Sequence, residues 1–455
     1  LSGEELDVVW NLTLAANLIS ADVAYGDIEA IQAVLGVKKV ILEIRYEPAV
    51  YATGEADPNM ATSGEMIGTS AAYAAGYTGA GMRIAVIDTG TDTDHKSFDA
   101  DAFAYALAED EKASGEAYDL LDAAEIGAVL PQLNAYKRTL QNGKPTAATP
   151  TAEQLYGTAK LPFHYNYVDG DLDVTHDNDD QGEHGSHVAG ISTANRFLKQ
   201  GDGFVSAAEA VNVCGVAPDA QLLTMKVFGQ NGGAYDSDYT AAIEDAIVLG
   251  ADTINLSLGS ASPGPSKART EAYQKSFDDL ENASSVVTVS SGNAGYWAKN
   301  ADPIGYLYSD GVSMQTDGQP GSYANSLTVA SVDNDGFIGN YLLIGQDPIA
   351  PSETTGFTNK PISTIVGEHE FVFFSEDATK YAVDAAGNNL LLAYADAVKD
   401  KIVFVSRGQS SFYQKHDAAA AAGALACVVY NNQSGSINMD LSSSTATIPC
   451  VSITQ

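Results

Sequence analysis

Short runs rich in apolar residues recur through the middle of the chain, each bounded by small or polar residues. Ile84-Ala85-Val86-Ile87 opens the series, and Gln221 to Val227, Thr253 to Leu258, Ser285 to Val289 and Leu327 to Val332 continue it. Short runs of this kind, rich in apolar residues, predict buried strands. Asp238 to Leu249 and Arg269 to Leu280 carry a helical period between them. Alternating strands and helices predict an α/β fold, a parallel sheet with helices on both faces. Residues 100 to 160 interrupt the series with an acidic, Ala-rich stretch expected to form a helical insertion at the surface.

The flanks read differently. Val23 to Tyr46 has the order strand, helix, strand: Asp27 can cap a helix carrying Ile28, Ile31, Val34 and Leu35, Gly36 stops it, and Val37 to Ile44 is rich in β-branched residues. Residues 48 to 70 are polar and punctuated by Gly and Pro, as a linker would be. After about Gly336 the texture changes to short strands and turns, with Phe371 to Phe374, Leu390 to Ala393 and Lys401 to Ser406 as strands. A helix at Tyr413 to Ala422 then leads into a strand at Ala426 to Tyr430. The chain starts on Leu1 and stops in a strand-like run, Pro449 to Gln455, so both ends are expected to be cut.

Charge narrows the range of functions. Against 59 Asp and Glu stand 23 Lys and Arg, a net charge of −36, which repels nucleic acid and anionic membrane. The 455 residues suffice for about three domains of ~150 residues. Three cysteines are too few for a disulfide framework. No apolar run reaches the ~18 residues of a membrane span.

Candidate chemistry gathers at three places in the middle region. Asp88, in Ile87-Asp88-Thr89-Gly90, ends the first buried strand, where open α/β sheets build their sites, although a lone Asp there can equally cap a helix or turn. His184-Gly185-Ser186-His187 opens an apolar helix, and this His pair could also be half of a metal site. Ser290-Ser291-Gly292-Asn293 ends another strand, where an Asn before small residues is often only a turn former. Taken in order, Asp, His and Asn at successive strand ends supply an orienting carboxylate, a general base and an oxyanion donor.

With those segments in view, the chain resembles the subtilisin-like serine proteases. Gly215-Val216-Ala217-Pro218-Asp219-Ala220, the strand Leu222 to Val227, Gly232-Gly233-Ala234 and Asn255-Leu256-Ser257-Leu258-Gly259 extend the likeness from about Gly79 to Ser331. Residues 1 to 52 are similar to the last part of the family's inhibitory propeptide. Lys401 to Thr454 resembles the protease-associated domain inserted in cell-envelope proteinases of Gram-positive bacteria, and Lys160 to Tyr167 resembles that subgroup in particular. The resemblance implies a propeptide remnant at 1–52, the first part of a catalytic domain at 53–339 and an incomplete protease-associated domain at 340–455. It also implies a secreted or surface-attached endopeptidase acting on protein or peptide through an acyl-enzyme, with no cofactor required. Asp88 would orient His184, His184 would be the base and Asn293 would hold the oxyanion. Gly232, Gly233 and Ala234 on one side and Ser257, Leu258 and Gly259 on the other would pair with an extended substrate, and Ser290, Ser291 and Gly292 would floor its main pocket.

One part of the family's pattern is missing. Its nucleophile lies in a Gly-Thr-Ser-Met-Ala-type motif after the inserted domain, so the serine is expected beyond Gln455, in a C-terminal remainder of the same polypeptide, and the chain alone is expected to be inactive. Gly68-Thr69-Ser70-Ala71-Ala72 imitates the motif but precedes Asp88 and lacks the following Pro. Asp169, Asp171, Asp173, Asp177, Asp179 and Asp180 could bind calcium, though a solvated acidic loop is the plainer reading. Cys427 and Cys450 sit on strands that could lie side by side, with free buried thiols preferred. Two rival functions remain at this stage: a non-catalytic binding or scaffold protein on the same fold, and a metal-dependent hydrolase using His184, His187 and the acidic loop.

Overall fold

The computed structural model describes residues 6–43, 45–46, 60–176, 179, 182–210, 212–259, 283–292, 318–332, 340–354, 358–433, 437 and 439–454, with isolated positions between 271 and 280. The chain divides into two compact units, Leu1–Val50 with Thr62–Asp335, and Tyr51–Ala61 with Gly336–Gln455.

The first unit is built on a six-stranded sheet. In space the order is Leu327–Val329, Val286–Ser290, Thr253–Leu256, Arg83–Asp88, Gln221–Lys226 and Phe163–Asn166, and every neighbouring pair is parallel. The side-chain period of two sends successive residues of the central strand to opposite faces. Ala85 and Ile87 join the larger core with Leu223, Met225, Ile254 and Leu256, beneath the helix Asp236–Val248. Val86 and Ile84 face the other way, toward Leu222 and Ala189 of the helix His184–Thr193. Both faces of the central strand are therefore covered, which is why Ile84 to Ile87 reads as an unbroken apolar run. Phe163–Asn166 escaped the sequence reading, because His164 and Asn166 break its apolar pattern. The range Arg269 to Leu280 lies largely outside the described residues.

Residues 100 to 160 are helical, with helices at Ala100–Ser114, Ala123–Val129, Asn134–Lys137 and Ala152–Leu155. They are not confined to the surface. Ile126, Leu133, Ala135 and Leu155 belong to the same core as the sheet, and the Asn134 and Ala135 amides donate to the Asp245 carboxylate at 2.6 and 2.9 Å. The acidic composition reflects the outward faces; apolar residues at helical spacing turn inward.

The N-terminal segment departs from the expected order. An antiparallel hairpin, Asp7–Leu12 with Leu18–Asp22, precedes a five-residue helix, Ile28–Gln32. The expected strand over 37–44 makes no ladder over its described part: the Gln32 side chain accepts the Val40 amide at 2.6 Å instead. Asp27 precedes the helix without a side-chain cap. Pairing begins only at Arg45–Tyr46, antiparallel to Ala234–Tyr235. Trp10, Leu12, Ala15 and Ala16 cover the helix Asp236–Val248 from outside, so Asp236 through Ala246 are all buried.

The second unit holds a five-stranded sheet ordered Ser352–Glu353, Cys450–Ile453, Ala426–Tyr430, Ile402–Ser406 and Phe371–Phe373. It is parallel except for its first, antiparallel edge pair. The helix Phe412–Ala421 starts with a capping box between Ser411 and Gln414. Leu390 to Ala393, expected as a strand, is part of a 3₁₀ helix, Leu390–Tyr394, because Asn389 caps it by accepting the Leu391 amide at 2.9 Å. Cys427 and Cys450 are direct cross-strand partners, buried, with free thiols. Among the described residues no helix is long and apolar enough to cross a membrane.

Candidate active site

Asp88 ends the central strand of the first unit and is 1% exposed. Its Oδ1 accepts the Thr89 amide at 2.7 Å and lies 2.7 Å from Nδ1 of His184, while Oδ2 is buried without a hydrogen-bond partner. His184 is the first residue of its helix, so the strand end and the helix start meet at this one contact. The carboxylate selects the tautomer with the proton on Nδ1 and leaves Nε2 as the basic nitrogen. The Asp88 hydrogen bond raises the His184 pKa above its ordinary 6.5, burial opposes that, and the Asp88 charge adds to it.

Glycine is required at two positions here. A Cβ at Gly185 would fall 2.1 Å from the Gly90 carbonyl oxygen, and one at Gly90, whose φ is +112°, would fall 2.2 Å from the Val174 carbonyl oxygen. The Asp-Thr-Gly turn and the His-Gly-Ser-His helix start therefore interlock by backbone approach. Side chains complete the join. Thr89 Oγ1 accepts the Gly185 amide at 2.8 Å, Ser186 Oγ accepts the Asp92 amide at 2.7 Å, and the Thr91 amide donates to the Val174 carbonyl at 2.8 Å.

Other candidates fall as follows. Gly232 and Gly233, at φ +78° and +79°, precede Ala234, which already pairs with Tyr46. Leu258 is buried two residues beyond the strand Thr253–Leu256, Ser257 Oγ accepts from Asn255, and Ser290 Oγ donates to the Leu258 carbonyl at 3.1 Å. Gly259 and Gly292 approach each other closely enough that a Cβ on Gly259 would touch the Gly292 Cα at 3.8 Å, and the Ser291 amide donates to Val329. Asn293 lies outside the described residues. His187 is exposed, and Ser70 Oγ donates to the Glu65 carboxylate.

In the acidic loop, Asp169 accepts from Asn166 and the Gln230 amide, both at 2.9 Å; Asp171 accepts the Asp173 amide, and Asp173 accepts from Thr175. Asp179 pairs with Lys226, while Asp177 and Asp180 lie outside the described residues. Among the described residues no three His, Cys, Asp or Glu are placed to hold a metal ion. Sequence reasoning passed over Thr89, Ser186 and Lys226. A lysine inside the expected buried strand Gln221 to Val227 was the available signal.

The subtilase family profile matches residues 79–451, most of the chain. The chain belongs to the subtilase family. This subtilase is 28% identical over 440 residues to the PIII-type proteinase of Lactococcus lactis subsp. cremoris (strain SK11), covering 95% of this chain and 20% of that protein. It is 26% identical over 437 residues to the minor extracellular protease Vpr of Bacillus subtilis (strain 168), covering 95% and 41%. It is 27% identical over 366 residues to a C5a peptidase of Streptococcus pyogenes, covering 80% and 26%. The epidermin leader peptide processing serine protease EpiP of Staphylococcus aureus aligns in three dimensions with TM-score 0.42 at 18% identity, covering 72% of this chain and 65% of that one. The subtilase chain thus spans about a fifth of the length of the lactococcal proteinase.

Proposed function

We propose that this subtilase chain is part of a secreted or surface-attached serine endopeptidase of a Gram-positive bacterium. The observation that carries the reading is the 2.7 Å contact between Asp88 and Nδ1 of His184 at the carboxyl end of the sheet. His184 Nε2 takes the proton of a serine hydroxyl as that oxygen attacks the peptide carbonyl. Asp88 stabilises the imidazolium that forms. The Asn293 side chain donates to the developing oxyanion. The proton then passes from His184 to the leaving amine, and water hydrolyses the acyl-enzyme by the same steps. The serine lies in the part of the longer polypeptide outside these 455 residues, and these steps need side chains only.

Residues 1–52 act as an inhibitory propeptide segment. Support comes from Arg45–Tyr46, which occupies the backbone edge at Ala234 that an extended substrate would use. Residues 340–455 form a protease-associated domain, in line with a parallel sheet flanked by the helix Phe412–Ala421.

The test is labelling of the full-length protein by a fluorophosphonate, together with cleavage of an unstructured protein. Both are expected in the parent and lost in His184→Ala, with strong reduction in Asp88→Ala. Labelling that survives His184→Ala would refute the assignment of the base. A full-length protein that folds but neither labels nor cleaves would favour a binding or scaffold role.

A further inference from the structure

We infer that Lys226 is a positioning residue for the Asp88–His184 pair, acting through the Thr89 peptide and compensated by Asp179; the inference deepens the proposed reaction and rests on that reading for its purpose. Lys226 ends the strand next to Asp88 and is its cross-strand partner in the ladder. Its side chain is 2% exposed and donates to the Thr89 carbonyl and to the Asp179 carboxylate, itself 8% exposed.

Thr89 is the residue on which the site turns. It is 1% exposed, and each of its polar groups has a partner. Its amide donates to Asp88 Oδ1, its Oγ1 accepts the Gly185 amide next to His184 and lies 3.5 Å from the Gly182 carbonyl, and its own carbonyl faces Lys226. The same residue thus aims the carboxylate with one side of its backbone and is held by Lys226 through the other. Rotation of the Thr89–Gly90 peptide would break the Lys226 contact, and any such movement is passed to Asp88 through the Thr89 amide.

An isolated ammonium buried here would cost more than its carbonyl contact returns, so the position needs an anion. Asp179 supplies it from the loop whose Val174 carbonyl also holds the Thr91 amide. The acidic loop is thereby fastened to the turn at Val174 and Asp179. A buried ion pair could serve stability alone; the separating question is whether its loss changes His184.

The experiment compares Lys226→Gln with Lys226→Met in the 455-residue chain, following the His184 ring protons by NMR as pH is varied. Both variants lose the same positive charge, so any direct electrostatic effect on His184 is common to them. They differ in that Gln keeps a donor for the Thr89 carbonyl. The His184 midpoint in Lys226→Met is expected to lie roughly 0.5–1 pH unit below that in Lys226→Gln, about 3- to 10-fold in proton affinity, because a loosened Asp88 hydrogen bond no longer raises it. Lys226→Arg should restore the parent midpoint. Equal midpoints in the folded Gln and Met variants would overturn the inference. Should Lys226→Met not fold, Asp179→Ala gives a second reading: hydrogen exchange in the peptide spanning 86–92 is expected to quicken by about tenfold or more as the uncompensated lysine leaves Thr89. Unchanged exchange there would equally overturn it. Neither measurement needs a serine nucleophile, so its failure is distinct from failure of the protease reading.

Discussion

Truncating Glu244 to alanine should release the N-terminal layer from the helix Asp236–Val248 while leaving the sheet intact. Glu244 is 3% exposed, and its Oε1 accepts the Leu14 and Ala15 amides at 2.7 and 2.8 Å and the Ala16 amide at 3.4 Å. Its Oε2 accepts from Asn134 at 3.0 Å. Hydrogen bonds to a charged partner contribute about 1.5–3 kcal/mol each, so the two short ones set a ceiling of about 3–6 kcal/mol. Relief of the buried charge and entry of water into the space reduce that to a net loss of about 2–4 kcal/mol. A local opening equilibrium would shift by roughly 30- to 1,000-fold. Hydrogen-exchange mass spectrometry reads this directly: peptides within residues 7–22 should exchange faster by that factor, while those within 83–88 and 221–226 keep their rates. Glu244→Gln should be intermediate. It preserves an acceptor for Leu14 and Ala15 but turns an amide donor toward Asn134, whose Nδ2 also serves the Ala241 carbonyl at 3.2 Å and so resists flipping. Parent-like exchange over 7–22 in Glu244→Ala would refute the view that this carboxylate anchors the layer.

Two further outcomes concern titration. Asp88→Ala removes both the hydrogen bond and the charge that raise His184 and leaves burial, which lowers it, so the His184 midpoint by NMR should drop below 6.5; a midpoint still above 6.5 would place the cause elsewhere. Lys160 is fully buried, donates to the Pro218 and Ala220 carbonyls at 2.8 Å each, and is pushed by burial from 10.5 down to about 7. Between those values the unfolded chain binds a proton that the folded one lacks, so this group makes stability rise with pH from about 7 to 10.5. Urea midpoints at pH 7 and 9.5 should show that rise in the parent and a smaller one in Lys160→Met, and equal rises would refute the shift.

The central strand was legible because both of its faces are covered, which leaves the unbroken apolar run Ile84 to Ile87. Phe163–Asn166 was not, since polar His164 and Asn166 dilute the signal. The β-branched residues from Val37 favour extended backbone, yet a strand needs a partner edge, and the available one begins at Ala234. Leu390 to Ala393 was lost to a local cap, because Asn389 offers the backbone an alternative to a ladder. In the site, the contact between Asp88 and His184 was foreseeable from motif and order. Thr89 and Lys226 were not, because their roles depend on which strand ends lie side by side, and a one-dimensional pattern does not carry that information.

The Asp88 strand comes first in the sheet by sequence but stands in its middle, and both of its neighbours, Gln221–Lys226 and Thr253–Leu256, are supplied much later along the chain. During synthesis this strand therefore waits with two open, apolar edges. Closing such distant contacts is slow, since chain entropy is lost before any pairing rewards it. The neighbouring strand that ends in Lys226 must dock before the Thr89 peptide is held in place. Timing is thus written into the topology: a nascent chain ending between residues 88 and 225 already contains Asp88, and past residue 184 also its histidine, but lacks the frame that holds them together. The Asp88–His184 contact is a late product of folding, and a shorter polypeptide carries both residues without joining them.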